Sequence, residues 1–331
     1  MASSIASEIF WAKPMAKDKG TANAPLFDKV ALIGIGLIGS SLSHAMRRKG
    51  LAGTISGASR SEQTRETALR LGIVDLAEPT ASAAVKDADL VVLCSPVGTF
   101  GTLAREIGPV LKSGAIVTDV GSVKTAVVED VAPHLPDGVH FIPGHPIAGS
   151  EVSGPESGFA ELFDDRWCIL TPTEAADSEA LSKLVHFWEQ CGARVDLMDV
   201  KHHDLVLAVT SHIPHLIAYN IVGTASDLET VTESEVVKYS AGGFRDFTRI
   251  AASDPTMWRD VFLNNKEAVL EVLGRFSEDL AALQRAIRWG DGDMLFDLFT
   301  RTRDIRRNIV DAGQEMADPD FGRRGPTIKK D

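Results

Sequence analysis

Three stretches of this chain carry residues whose types and spacing suit hydride, proton and anion chemistry. Gly34-Ile-Gly36-Leu37-Ile38-Gly39 has the GxGxxG spacing of a turn that lets a pyrophosphate approach the backbone and rest on a helix N-terminus. Downstream, the segment from Phe141 to Gly158 sets His145 among prolines and glycines. Proline fixes φ and glycine permits close approach, so the segment reads as a shaped loop. An imidazole titrating near neutrality suits a general base for a hydroxyl proton. Farther on, His212 and His215 lie three apart, and Arg245 and Arg249 four apart, just after Gly242-Gly243. Planar guanidinium forks match carboxylates.

These groups need elements to hold them. Lys29-Val-Ala-Leu-Ile-Gly34 is a continuous apolar run, as a parallel strand covered on both faces requires. With the glycine turn and a helix over 40–49 it forms a strand–turn–helix unit for a dinucleotide. Strands over 54–57, 90–94, 116–119, 139–142, 168–171 and 194–197 then alternate with helices over 61–71, after Gly98 and over 178–190. The pattern predicts an α/β fold: a doubly wound parallel sheet with extra strands, followed by an all-α domain. Ser95-Pro96 and Ser122 fall just beyond strand ends and should face the cofactor, where ligands bind in such sheets. Ser122 can offer a hydroxyl or cap the helix beginning near Val123. An NAD site usually places a carboxylate about 20 residues beyond the glycines. Here Ser59-Arg60-Ser61 stands in that place, which fits a 2′-phosphate, although Arg60 can equally be a solvated turn residue. The expectation is NADP or NAD, with a slight lean to NADP and no metal.

From about Asp199 the pattern turns helical. A helix over 201–223 carries His212 and His215 on one face, beside a kink at Pro214. They suit a substrate contact or a satisfied core pair, and no third ligand at matching spacing supports a metal. Arg245 and Arg249 read as one helical face toward an anionic substrate, or as surface ion pairs with Asp246 and Asp254. Asp254-Pro255 starts a further helix as N-cap and first residue. Val269, Leu273, Phe276, Leu280, Leu283 and Ile287 form a heptad seam, which suits packing within one subunit or, by preference, a homodimer core.

A net charge of -12 argues against nucleic acid or an anionic membrane as partner, but not against a small anionic substrate held by local arginines. Cys94, Cys168 and Cys191 sit apart in apolar elements, as buried thiols of a cytoplasmic protein do. No run was expected to be long and apolar enough to span a bilayer. The boundaries expected are a loose extension over 1–25, a dinucleotide-binding domain over 26–198, a helical substrate and dimerisation domain over 199–315, and a flexible tail over 316–331.

Several motifs in order resemble the prephenate/arogenate dehydrogenases of tyrosine biosynthesis. They are Gly34-Ile-Gly-Leu-Ile-Gly-Ser-Ser-Leu42, Asp119-Val-Gly-Ser-Val-Lys124, Gly144-His-Pro-Ile-Ala-Gly-Ser-Glu151, Ser211-His-Ile-Pro-His215, Gly242-Gly-Phe-Arg-Asp-Phe-Thr-Arg249 and Asp254-Pro-Thr-Met-Trp-Arg259. The resemblance implies a Rossmann-type nucleotide domain and oxidative decarboxylation of prephenate or arogenate with hydride passing to NAD(P)+. It implies His145 as the base, Ser122 as its positioning partner, and Arg249 as the ring-carboxylate binder. His212 and His215 would line the substrate site, with Glu151 at its entrance, and Arg245 and Ser150 are further candidate substrate contacts. Neither a chorismate mutase segment before the glycines nor an ACT domain after the helices is expected. Two other classes stay open: a β-hydroxyacid-type dehydrogenase using a lysine base, and a non-catalytic NADP sensor.

Overall fold

The computed structural model describes residues 24–149, 152–173, 176–227, 235, 238–239 and 242–311. Contacts divide them into two units. The first runs through Asp204 and takes in Arg249–Asn264; the second comprises Leu205–Thr248 and the chain from Asn265 on.

The first unit is built on β1 (Phe27–Ile33), whose core-facing run Val30 to Ile33 is almost wholly buried. Around it pair β2 (Ala52–Ala58), β3 (Leu76–Glu78), β4 (Leu90–Leu93), β5 (Ile116–Asp119) and β6 (His140–Phe141). All are parallel, in the order β3-β2-β1-β4-β5-β6. Crossovers run through α1 (Leu37–Lys49), α2 (Glu62–Arg70), α3 (Ala81–Val85), α4 (Phe100–Ile107) and α5 (Thr125–Val131). Strand order reverses between β1 and β4, so a crevice for a ligand opens beyond their carboxyl ends.

Later strands do not extend this sheet, contrary to the expectation of one sheet with extra strands. β7 (Gly144–Pro146), β8 (Trp167–Leu170) and β9 (Arg194–Leu197) form a separate three-stranded sheet, β7 antiparallel to β8 and β8 parallel to β9. The chain leaves the large sheet at Ile142, whose N–H still bonds Val117, and Pro143 then gives its carbonyl to the Thr171 N–H. β7 was read as loop because proline and glycine mask strand propensity. Pro146 is tolerated because β7 is an edge strand. α6 (Ser178–Gln190), capped by Asp177 through the Ala180 N–H at 2.8 Å, buries Leu184, Phe187 and Trp188. Phe187 and Trp188 meet Phe27 and Phe163 edge-on, with centroids 5.4–5.8 Å apart, a geometry aromatic rings favour. α10 (Pro255–Asn264), capped by Asp254 as expected, completes this unit.

α7 (Val200–Leu207) leads through a π turn at Ala208–His212 into α8 (Ile213–Asp227). The π turn stands one residue before Pro214, where the freed backbone must readjust. Within the run Val200–Asp227 an 18-residue window has a mean hydropathy of 1.5, enough by length and composition to cross a membrane, which corrects the expectation that no run would be. His203 and Asp204 within it are buried and hydrogen-bonded to other parts of the first unit. The second unit continues with α9 (Gly242–Thr248), α11 (Lys266–Trp289) and α12 (Gly292–Ile309). The heptad residues fall on α11, where Val269 is buried while Leu280 and Ile287 are 48% and 68% exposed on the single chain.

Two aspartates brace strands of the large sheet against neighbouring segments. Asp75 accepts from Ile55 N–H at 2.7 Å and Arg47 at 2.8 Å; Asp89 accepts from Lys29 N–H at 2.8 Å and pairs with Lys112. Burial favours their neutral forms, but these bonds outweigh it and hold both carboxyls below the usual range. A depressed folded pKa gives stability that is full above the unfolded pKa and is lost as pH falls through the folded one. Urea midpoints should therefore drop between about pH 5 and about pH 2. Asp75→Asn/Asp89→Asn should be less stable near neutrality and show a flatter acid limb. A limb parallel to that of the unaltered protein would refute the assignment.

Candidate active site

The glycine turn lies where β1 meets β4. Gly34 has φ 105°, and a Cβ there would come within 2.8 Å of Cys94 C and Ser95 N. A Cβ on Gly39 would stand 2.4 Å from Gly34 O, so helix and turn pack too closely for any side chain. Gly36 differs, because nothing lies within 4 Å of its Cβ position. It is also the N-cap of α1, without a capping side chain and without an acidic residue in the first turn. The amides of Leu37, Ile38 and Gly39 thus head a helix with an open approach, which is the fit a pyrophosphate needs. Ser95 Oγ bonds Thr99 Oγ1 at 2.8 Å at the half-buried mouth of this turn, beside exposed Pro96.

β2 ends at Ala58 and the following loop carries no carboxylate before Glu62. Ser61 Oγ caps α2 through the Thr64 N–H at 3.2 Å, while Arg60 is exposed and Ser59 half-buried. Sequence reasoning missed Arg65, whose guanidinium folds back to donate to Ser59 O at 2.7 Å and Arg60 O at 3.0 Å. The only signal was its place one turn into α2. Two guanidinium groups and two hydroxyls therefore gather at the loop.

His145 sits at the centre of β7, paired with Ile169, and is 7% exposed. Its Nδ1 is 2.9 Å from His203 Nε2, and His203 Nδ1 is 2.9 Å from Asp204 Oδ1. The Asp204 carboxylate also accepts from the N–H groups of Lys124 and Thr125, each at 2.8 Å, and so caps α5. Burial opposes its ionisation, yet His203, Thr125 and Lys124 together hold its pKa below the usual value. Burial lowers that of His203, more than the Asp204 bond raises it. With Asp204 ionised and His203 neutral, the row has one consistent proton arrangement. His203 Nδ1–H donates to Asp204 and His145 Nδ1–H donates to His203 Nε2, so that Nε2 is the acceptor nitrogen of His145 in this tautomer. An imidazole so held is prepared to accept a proton at Nε2.

His203 and Asp204 were not among the expected site residues. Their signal was the pair His202-His203 followed by Asp204, but the reading gave weight to the downstream Ser211–His215 instead. Ser122 is half-buried on the loop between β5 and α5. It does not cap that helix, which begins at Thr125 and has Asp204 as its capping group. That corrects one of its two expected roles.

The remaining candidates divide. Arg245 and Arg249 do not share an α-helical face, because α9 stops at Thr248 and Arg249 opens a 3-10 turn through Ala252 that belongs to the first unit. Both are exposed, and Arg245 pairs with Asp246 at 3.3 Å on the surface. In the second unit, His212 is fully buried, its Nδ1 3.0 Å from Asn265 Nδ2, and His215 Nδ1 lies 2.8 Å from Ser211 O. Ser150 and Glu151 lie outside the described residues. Among the described residues no cluster of three or more His, Cys, Asp or Glu could hold a metal.

Comparison with known proteins places this geometry. Residues 42–197 match the family model for the prephenate dehydrogenase nucleotide-binding domain, and residues 199–301 that for the prephenate dehydrogenase dimerization domain. The chain is 42% identical to cyclohexadienyl dehydrogenase of Zymomonas mobilis, over 85% of this chain and 96% of that protein. It is 33% identical to prephenate dehydrogenase of Bacillus subtilis, over 85% and 76% respectively. Among solved structures it resembles prephenate dehydrogenase from A. aeolicus in complex with hydroxyphenyl propionate and NAD+, with a TM-score of 0.79, 35% identity and coverage of 87% of this chain and all of that one. The match spans both units, and with it the chain belongs to the prephenate dehydrogenase family.

Proposed function

We propose that the chain oxidises and decarboxylates prephenate to 4-hydroxyphenylpyruvate, arogenate to tyrosine, or both, within tyrosine biosynthesis. The observation that carries this reading is the Asp204–His203–His145 row, which fixes the tautomer of a histidine next to a dinucleotide-type sheet edge. Bound at the glycine turn, NAD(P)+ supplies the hydride acceptor. His145 Nε2 takes the proton of the ring hydroxyl as that carbon becomes carbonyl-like, and the imidazolium charge is shared along the row toward the Asp204 carboxylate. The substrate's ring carboxylate then leaves as CO2 and the ring becomes aromatic. Ser122 keeps its assignment as a hydroxyl partner to this proton transfer.

The family likeness supports Arg249 as the ring-carboxylate anchor. Its guanidinium is exposed, and a planar fork of that kind suits a carboxylate, while Arg245 pairs with Asp246 on the surface. It equally supports His212, His215, Ser150 and Glu151 as further substrate contacts. The Ser59, Arg60 and Arg65 loop favours NADP+, since guanidinium groups suit a 2′-phosphate and no carboxylate there would repel it. A homodimer through the helical unit accounts for the exposed Leu280, Ile287, Trp289, Phe296 and Phe299. A cytoplasmic location suits the reduced, buried Cys168 and Cys191.

The primary test is a four-way comparison of kcat/KM: prephenate and arogenate, each with NAD+ and NADP+. No turnover in any arm would refute the proposal. His145→Asn should bind substrate and lose kcat by roughly 10²–10⁴-fold; near-normal turnover at saturation would remove His145 from the role of base. Asp204→Asn should cost about 10–10²-fold in kcat. It should also move the acid limb of kcat/KM to lower pH, because loss of the carboxylate makes His145 a weaker base. An unmoved limb would mean that the row does not act on the reaction. For the cofactor, Ser59→Asp should raise the NAD+/NADP+ ratio of kcat/KM by about tenfold or more through repulsion of the 2′-phosphate. An unchanged ratio would show that this loop does not read the ribose.

A further inference from the structure

Lys124 is fully buried, yet it is a lysine, and its partner Asp119 is fully buried with it. Its ammonium bonds Asp119 Oδ2 and donates to Gly144 O at 2.6 Å. Asp119 in turn accepts from the Gly144 N–H at 3.1 Å and the Gly121 N–H at 2.8 Å. The two charges therefore grip both polar groups of Gly144, the residue before His145. At the same time the backbone N–H of Lys124 donates to Asp204 at the far end of the histidine row. One residue thus bears on both ends of the row, through its side chain at Gly144, next to His145, and through its main chain at Asp204.

A buried ion pair is seldom kept for stability, since packed apolar groups of like size serve as well or better. What it supplies is a single geometry, because neither charge can relax without leaving the other unpaired. Here that geometry fixes the register of β7 against the end of β5, and with it where the His145 ring stands. It also closes Asp119, Gly121 and Lys124 into a ring around the loop that bears Ser122.

We infer that Lys124 is a positioning residue for the reaction: it aligns His145 and Ser122 while its ammonium takes no part in proton transfer. This rests on the reading of His145 as the base. It also bears on a β-hydroxyacid-type mechanism, which needs a lysine facing substrate. This lysine is enclosed between a carboxylate and a carbonyl.

The test compares Lys124→Met and Lys124→Met/Asp119→Asn, the second relieving the unpaired carboxylate, with the unaltered enzyme. The expected result is a fall in kcat of tenfold or more, with KM for prephenate and Kd for the dinucleotide each within about threefold. In 15N spectra of the imidazoles, His145 should lose its single Nδ1–H tautomer in the variants. Retained kcat in either variant, or a parallel loss of kcat, KM and Kd that tracks a lower Tm, overturns the inference. A further measurement needs no variant. In the unaltered enzyme the Lys124 ammonium protons should resist exchange and show coupling to the Gly144 carbonyl carbon, and rapid exchange without coupling overturns it as well. If His145→Asn loses kcat while Lys124→Met does not, only the positioning role fails. If His145→Asn keeps its kcat, the reading beneath it fails too.

Discussion

The Asp204 carboxylate is the point on which the site's geometry depends. It ends a helix and sets a proton arrangement with the same two oxygens. The first-turn amides of α5 need an acceptor, and no local side chain supplies one. Asp204 fills that need from 80 residues away, and its Oδ1 also receives the His203 Nδ1–H. Because the helix N-terminus favours negative charge, the carboxylate stays ionised although it is buried. An ionised Asp204 dictates the tautomer of His203, and through it that of His145.

The charge pattern of the molecule is local. The chain carries a net charge of -12, yet the places assigned to anions are built from uncapped helix amides at α1 and from Arg60 and Arg65 at the β2–α2 loop. Overall acidity governs long-range attraction, which salt screens within about 10 Å. It does not set what a helix N-terminus or a guanidinium does at contact distance. An acidic enzyme for anionic substrates and cofactors is therefore consistent.

A lysine-base dehydrogenase needs its lysine open to substrate, and Lys124 is not so placed. Lys124 lies beside the site but is confined by Asp119 and Gly144. His145 follows Gly144, nearly buried, with its Nδ1 on His203 Nε2. Desolvation explains the division. Complete burial suits an ammonium only when carboxylate and carbonyl surround it, whereas a neutral imidazole can be nearly buried at small cost and still exchange protons near pH 7.

Local chemistry in the sequence was enough for the glycine turn and for most of the strands. Glycine spacing states where a backbone must approach a phosphate, and continuous apolar runs such as Lys29 to Gly34 can only be covered strands. β5, α6 and β9 were readable to the residue because turn or capping residues bound each of them. Only the tertiary structure decided what depended on distant partners. β7 is a strand solely because β8 pairs with it. Asp204 caps α5 across 80 residues. Arg245 and Arg249 part because the helix ends at Thr248. His203 entered the site by packing onto β7, while the histidines given more weight, His212 and His215, find partners in Asn265 and Ser211. Sequence spacing reports neighbours along one element. It carries no record of which buried acceptor will meet an unsatisfied amide from another, and that pairing built the row of side chains at the site.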